Sequence, residues 1–296
     1  MGRTIVYVES DDHGGNTRGL LNPKTELQED HITIDEDGGV VIEVVTYSPK
    51  LRAWQEFLWE LRTQNLKKLV ELADGDEIVY IHTGDITQGN KYAQDWVSTR
   101  IGDQFKIAYW NHRPIMELPN LKVARYVEGT SSHVFGDGTS EEVVTNLLKA
   151  NYPDVDIAAC VHGLIDIYGF VTDFSHHGPG PGSRKWLQGN IASYYLRDRM
   201  MISLLHGEKP PNLYLRAHFH TWVKAMWNIS VGSEDHTSYL CILPSMCGIG
   251  AYGRQVTKSV DAVTNGALAF EVIDGDLFRV HRWTRTVDIK MREVLR

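Results

Sequence analysis

The chain predicts an α/β fold in which helices lie outside a mixed β-sheet as stacked layers. Three observations predict it. Short apolar runs of strand length alternate with longer stretches of helical spacing, the pattern that builds such layers. No apolar run approaches the roughly 20 residues that span a bilayer. A length of 296 residues with 42% hydrophobic and 23% charged side chains suits an ordinary globular domain with a sizeable core.

Thr4 to Glu9 reads as the first strand and runs into Ser10-Asp11-Asp12-His13-Gly14-Gly15, where the glycines permit a sharp turn. Turn signals at Asn22-Pro23 and Asp35-Glu36-Asp37-Gly38-Gly39 make the stretch from about 16 to 48 an insertion holding a short hairpin. Ser48-Pro49 predicts a helix start, with serine as N-cap and proline at the first helical position. Leu51, Trp54, Phe57, Leu58, Leu61, Leu69 and Leu72 continue at helical spacing as a core stripe, closed by Gly75. Glu77 to His82 is a buried strand that delivers Thr83-Gly84-Asp85.

Residues 91–116 read as helical, and Lys122 to Val127 as a strand delivering Gly129-Thr130-Ser131-Ser132-His133. Thr139 with Glu142 makes a capping box. Ile157 to Val161 and Tyr168 to Phe174 are strands, the second delivering His176-His177. The Gly-Pro alternation of 178–182 is irregular loop. A helix from about Lys185 to His206 ends at Gly207, and Leu213 to Ala217 is a strand delivering His218-Phe219-His220. The C-terminal part is mostly strand, with Ala267 to Ile273 and Leu277 to Trp283 flanking the tight turn signal Asp274-Gly275. No repeat or long linker divides the chain, so 1–296 reads as a single domain.

Composition narrows the function classes. A formal charge of −8 argues against a broad basic groove for long nucleic acid, although bound divalent cations would reverse the sign locally. Cys160, Cys241 and Cys247, odd in number and without a C-x-x-C, read as reduced core thiols. The N-terminus passes into strand with too short an apolar run for a signal peptide. That sets a cytoplasmic expectation, the host cytoplasm if the protein is viral, and no membrane partner.

Four strings stand at strand-to-loop junctions: Asp11-Asp12-His13, Gly84-Asp85, His176-His177 and His218-Phe219-His220. Ligands of α/β folds gather beyond the carboxyl ends of strands, and an extended D-x-H or H-x-H places its two outer side chains on one side. The carboxylate and imidazole set suits Mn, Fe or Zn better than Ca or Mg. Two neighbouring ions sharing one carboxylate could be served.

In this order the strings resemble the calcineurin-like metallophosphoesterase superfamily, whose pattern is D-x-H, G-D, G-N-H-[DE], a lone H, then G-H-x-H. The match spans Asp11 to His220. The resemblance implies two stacked mixed sheets flanked by helices, a four-layer sandwich with a dinuclear site between the sheets. It implies that Asp11, His13 and His220 hold the first of two divalent ions, that Asp85 bridges, and that His176 and His218 hold the second. With Asp85, His133 is implied as catalytic, as general acid. The reaction implied is hydrolysis of a phosphate ester by a metal-bound hydroxide, without a protein nucleophile.

The chain departs from the pattern in two places. Ala217 replaces a glycine, and no asparagine stands beside His133. Anchoring on His133 puts Ser132 at the vacant ligand position; anchoring on Gly129 puts Thr130 there, and some viral members of the superfamily carry a similar G-T-x-x-H string. Asn90 and Asn16 are further alternatives. Asp12 points away from Asp11 and could orient His133 or a ligand histidine. His177 is an alternative ligand or a substrate contact. Arg184 beside the Gly/Pro loop could contact a phosphate, against the plainer reading of a solvated loop. His82, His162, Trp222 and Trp227 read as core residues.

No cluster of arginines stands ready for a dianion, so a phosphodiester (a nucleotide or nucleic-acid end) is the expected substrate. The rival is a binding scaffold that keeps the fold without turnover, which the missing asparagine favours. Gly84-Asp85-Ile86-Thr87-Gln88-Gly89-Asn90 lacks the Asp-Arg of protein phosphatases, and a protease would need an H-E-x-x-H helix.

Overall fold

The computed structural model describes residues 2–133, 135, 139–182, 187–250 and 262–290. Its first sheet has six strands. At its centre β1 (Arg3–Glu9), β4 (Glu77–His82), β5 (Leu121–Val127) and β6 (Asp156–Cys160) run parallel, and β12 (Ala262–Ile273) with β13 (Asp276–Asp288) extends it antiparallel beyond β1. The second sheet has the order β10 (Val223–Val231), β11 (Glu234–Ile242), β9 (Leu213–Arg216), β8 (Phe170–Ser175), β7 (His162–Ile167). Parallel pairing of β8, β9 and β11 inside antiparallel edges makes it mixed as well.

Alternation along β1 sets the layering. Ile5 and Tyr7 face one way, onto Leu69 and Ala73 of α1 (Ala53–Ala73), Ala108 and Ile115 of α2 (Ile101–Met116), and Val144 and Leu148 of α3 (Thr139–Asn151). Val6 and Val8 face the other way and meet Phe170, Phe174, Leu213 and Leu215 of the second sheet. A strand buried on both faces has to be apolar at successive positions, which is what Ile5-Val6-Tyr7-Val8 shows. The outer face of the second sheet buries Tyr214, Val223 and Leu240 beneath Ala192, Leu196 and Met200 of α4 (Asn190–Leu205). The order is helices, sheet, sheet, helix: two stacked mixed sheets flanked by helices.

Several boundaries differ from expectation. α1 begins at Ala53, not at Pro49, because Leu51 is drawn into a small cluster with Leu21, Leu27 and Ile107. The Gln55 side chain instead accepts the Arg52 amide at 3.0 Å. Residues 91–100 are not helical apart from one short turn at Ala93–Asp95. There the Val97 amide donates to the Gly15 carbonyl at 2.7 Å and the Thr17 amide to the Asp95 carbonyl at 2.7 Å, so the segment is tied to the loop after β1. β7 is an unforeseen strand that turns into β8 at Tyr168-Gly169, both at positive φ. α4 begins at Asn190, while Lys185 lies outside the described residues. Thr139 is the first helical residue of α3, and its side chain lies outside what is described. The hairpin expected between 16 and 48 is β2 (Leu27–Ile34) with β3 (Val40–Tyr47), a sheet of their own. No helix among the described residues is long and apolar enough to cross a membrane.

Candidate metal centre

Parallel pairing brings the strings together. β1, β4 and β5 end side by side, and their loops continue the pairing: the Asp11 amide donates to the Gly84 carbonyl (3.0 Å), the His13 amide to the Asp85 carbonyl (2.9 Å) and the Gly14 amide to the Ile86 carbonyl (2.9 Å). In the second sheet β8 and β9 end together, and the Ala217 amide donates to the His176 carbonyl at 2.9 Å. Five site residues are left-handed: Asp11 (φ 55°), His13 (45°), Asp85 (55°), His218 (73°) and His220 (50°). Three other non-glycine residues in that region, Asp74, Tyr168 and Asp274, cap a helix or turn a hairpin. Such conformations cost about 1–3 kcal/mol each and persist where surroundings impose them, often at functional sites.

Two donor sets result. In the first, His220 Nε2 lies 3.1 Å from Asp11 Oδ1 and 3.3 Å from His13 Nε2, and His13 Nε2 lies 3.9 Å from both Asp11 Oδ1 and Asp85 Oδ2. In the second, His176 Nε2 lies 3.2 Å from Asp85 Oδ2. The Thr130 hydroxyl sits among them, 3.1 Å from His176 Nε2, 3.1 Å from His218 Nδ1 and 3.3 Å from Asp85 Oδ2. Ligands about 2.0–2.2 Å from one ion stand about 3–3.5 Å from one another; the Thr130 hydroxyl keeps that spacing to all three partners, and His176 keeps it to Asp85. Of the open alternatives for the missing amide, Thr130 is the one whose hydroxyl lies among these donor atoms. Asn16 is spent on Gln88 and the Arg18 amide, and Asn90 is exposed.

Donor chemistry fits a pair of cations. Asp11 Oδ1 and His13 Nδ1 are buried without a hydrogen-bond partner. Thr130 has one hydroxyl proton for three neighbours, and two imidazole nitrogens face each other across His13 and His220. Burial, reinforced by His133, pushes His13 down to about 3, so it is a neutral donor. Burial opposes the charge on His176, yet Asp85 outweighs it and raises the imidazole to about 10. Burial likewise opposes ionisation of Asp11 and Asp85, and neighbouring histidines hold both carboxyls below the usual range.

Neighbouring carbonyls aim the rings. His176 Nδ1 donates to Thr83 O at 2.7 Å, leaving Nε2 toward Asp85. His133 Nδ1 donates to Gln88 O at 2.7 Å, leaving Nε2 toward the mouth, and its ring meets that of His13 with centroids 4.4 Å apart. Thr87 Oγ1 donates to the His133 carbonyl at 2.8 Å and lies 3.0 Å from the Ser140 hydroxyl, so the start of α3 braces this loop. Sequence reasoning missed these orienting groups because a backbone carbonyl leaves no residue-type signal.

Of the residues singled out, Asp11, His13, Asp85, His133, His176, His218 and His220 converge. His177 adjoins them, its ring 4.8 Å from that of His218. Arg184 lies outside the described residues. Asp12 does point away from Asp11, but onto His112 Nε2 (3.1 Å) and His82 Nε2 (3.4 Å), not onto His133. His82 is fully buried; His162 is not a core residue but an exposed one paired with Asp173 at 3.0 Å. Trp222 and Trp227 pack into core clusters.

No family model matches the sequence, and no curated protein matches it. Among solved structures the chain is similar to the calcineurin-like phosphoesterase YfkN from Bacillus subtilis at 12% identity and a TM-score of 0.34, over 97% of this chain and 91% of that one. A likeness of that size decides nothing about activity. The functional reading rests on the site.

Proposed function

We propose that the chain is a metal-dependent phosphoesterase that hydrolyses a phosphodiester, a nucleotide or the end of a short nucleic acid. The observation that carries this is the place of Asp85. Its Oδ2 lies 3.9 Å from His13 Nε2 of the first donor set and 3.2 Å from His176 Nε2 of the second, as a carboxylate shared by two neighbouring ions must. Two divalent cations (Mn, Fe or Zn by donor type) would be held by Asp11, His13 and His220 on one side and His176, His218 and Thr130 on the other. Bound there, they lower the pKa of a water and neutralise phosphoryl oxygens.

The chain's own residues supply the rest. His133, fixed through Nδ1 on Gln88, keeps Nε2 where it can give a proton to a leaving alkoxide. Gly84 and Gly129 let the loops close on the site: a Cβ on Gly84 would come within 2.5 Å of His176 Nδ1, and one on Gly129 would overlap the Asp85 carboxylate. His177 borders the mouth as a substrate contact. The preference for a diester is supported by two arginines near the site, among the described residues, being engaged elsewhere: Arg18 on the Ile249 carbonyl and Arg216, at the end of β9, on Asp173.

The test combines metal analysis with hydrolysis of bis-p-nitrophenyl phosphate in Mn²⁺. Two ions per chain with turnover are expected. Asp85→Asn and His220→Ala should lose both metal and turnover, whereas His133→Ala should keep its metal and lose about 10²–10⁴-fold in rate. Full metal loading without turnover on cyclic nucleotides, dinucleotides, short single strands or monoesters would establish the scaffold reading instead.

A further inference from the structure

On the helix side of the first sheet, next to the candidate centre, one row of the sheet is polar. Glu9, His82 and Tyr126 are register partners across β1, β4 and β5, and all three are buried. His112 of α2 and Asp12 of the loop after β1 meet this row, and Asp12, His82 and His112 are each 0% exposed. Polar groups at that depth have to be hydrogen-bonded, and charges have to be paired or bound to a metal.

Glu9 meets that requirement through Arg62 at 2.8 Å. Asp12 does not. Among the described residues no Lys or Arg pairs with it; its neighbours are His112 Nε2, 3.1 Å from Oδ2, and His82 Nε2, 3.4 Å from Oδ1. Neither contact has hydrogen-bond geometry: both Asp12 oxygens, His82 Nε2 and His112 Nε2 are buried without a hydrogen-bond partner. The donor atoms of the three side chains lie within 4.8 Å of one another. Lone-pair atoms drawn together, yet not aimed at one another, are what the ligands of a common ion show. The spacing agrees, since atoms about 2.0–2.2 Å from one zinc stand about 3–3.5 Å apart.

We propose that Asp12, His82 and His112 form a third metal site, structural in role, that takes zinc. Two imidazoles and a carboxylate gripping through both oxygens make four donors, a closed shell with no place for a substrate. Such a shell suits Zn²⁺, whereas Mg²⁺ and Ca²⁺ require more oxygen ligands. The other nitrogen of His112 fits the role: Nδ1 donates to the Tyr126 hydroxyl at 3.1 Å, which fixes the ring with Nε2 toward Asp12. The ion ties α2 and the end of β4 to the loop that carries Asp11 and His13. Because all three ligands are sealed from solvent, the zinc enters as the chain folds and leaves only as it unfolds. It is additional to the two ions of the candidate centre and does not depend on the reaction proposed there.

Element analysis of the full chain tests this, with circular dichroism as the folding control. The protein is prepared with zinc, dialysed against EDTA to strip the open two-ion centre, and reloaded with Mn²⁺. One zinc per chain should survive the dialysis, counted apart from the manganese, and should reach a chromogenic chelator only as the protein unfolds. Asp85→Asn with His220→Ala, which disables the two-ion centre, should keep that zinc, and His112→Gln should lose it. Folded wild type or Asp85→Asn/His220→Ala protein without chelator-resistant zinc overturns the proposal. So does zinc released ahead of unfolding, or a folded His112→Gln that keeps its zinc. If His112→Gln does not fold, the zinc count of Asp85→Asn/His220→Ala and the timing of release decide. Neither readout uses turnover, so this reading and the phosphoesterase reading fail separately.

Discussion

Thr130 illustrates how one side chain can resolve what a motif leaves open. As a string, Gly129 to His133 allowed either Ser132 or Thr130 at the vacant ligand position, because spacing within a loop does not specify where a side chain points. Folding decides it: the Thr130 amide donates to Asp85 Oδ1 at 2.6 Å, which sets the hydroxyl beside His176 and His218. Thr130→Ala should weaken retention of one of two ions by at least about tenfold, read by metal analysis after desalting, while Thr130→Asn should retain both. Glu141 gives a second test at this scale. Burial, helped by Asp85, raises its carboxyl from 4.5 to about 7. A group whose folded value is raised favours folding below its unfolded value and loses that contribution as pH climbs through the folded one. In metal-free protein near pH 8 the ionised Glu141 therefore costs on the order of 3 kcal/mol, from the rise of 4.5 to about 7 at about 1.4 kcal/mol per unit. Glu141→Gln keeps an acceptor for the Ile86 amide. It should raise the denaturation midpoint near pH 8 and change it little near pH 5.

Elements were legible where local pattern and packing agree. β1, β4 and β5 run within a residue of expectation because each is buried on both faces and ends at a polar turn. The donor strings were legible because each begins within two residues of a strand's end. Residues 91–100 misled because their spacing suits a helix while their backbone groups are taken by Gly15 and Thr17. β7 was hidden because His162, Gly163 and Asp166 interrupt the apolar pattern of Leu164, Ile165 and Ile167. Loop closeness leads to a further prediction. Gly129→Ala should expel the Asp85 carboxylate and release metal while leaving the far-ultraviolet dichroism intact. If metal content is unchanged, the close approach of these two loops does not govern the site.

At the scale of the molecule, a charged pair lies inside the helix-side layer. Arg62 of α1 meets Glu9 of β1 at 2.8 Å, the side chains 1% and 0% exposed, and Tyr7 and Tyr80 also donate to Glu9. The leucine stripe of α1 gave no hint of it, since a helical period marks the buried face and not the polar groups admitted to it. Removing one partner strands the other, so Arg62→Met should cost about 3–5 kcal/mol in unfolding free energy, while the metal-binding donors keep their spacing. The seam between the sheets has a broader consequence. Asp11, His13, Asp85 and Thr130 hang from the first sheet, and His176, His218 and His220 from the second. Each cation proposed for this seam would thus be a clasp across two halves that meet mainly through apolar side chains, joined near the site by the His176–Thr83 hydrogen bond. Chelation should loosen the whole body as well as silence it, lowering the melting temperature in step with the free-metal concentration.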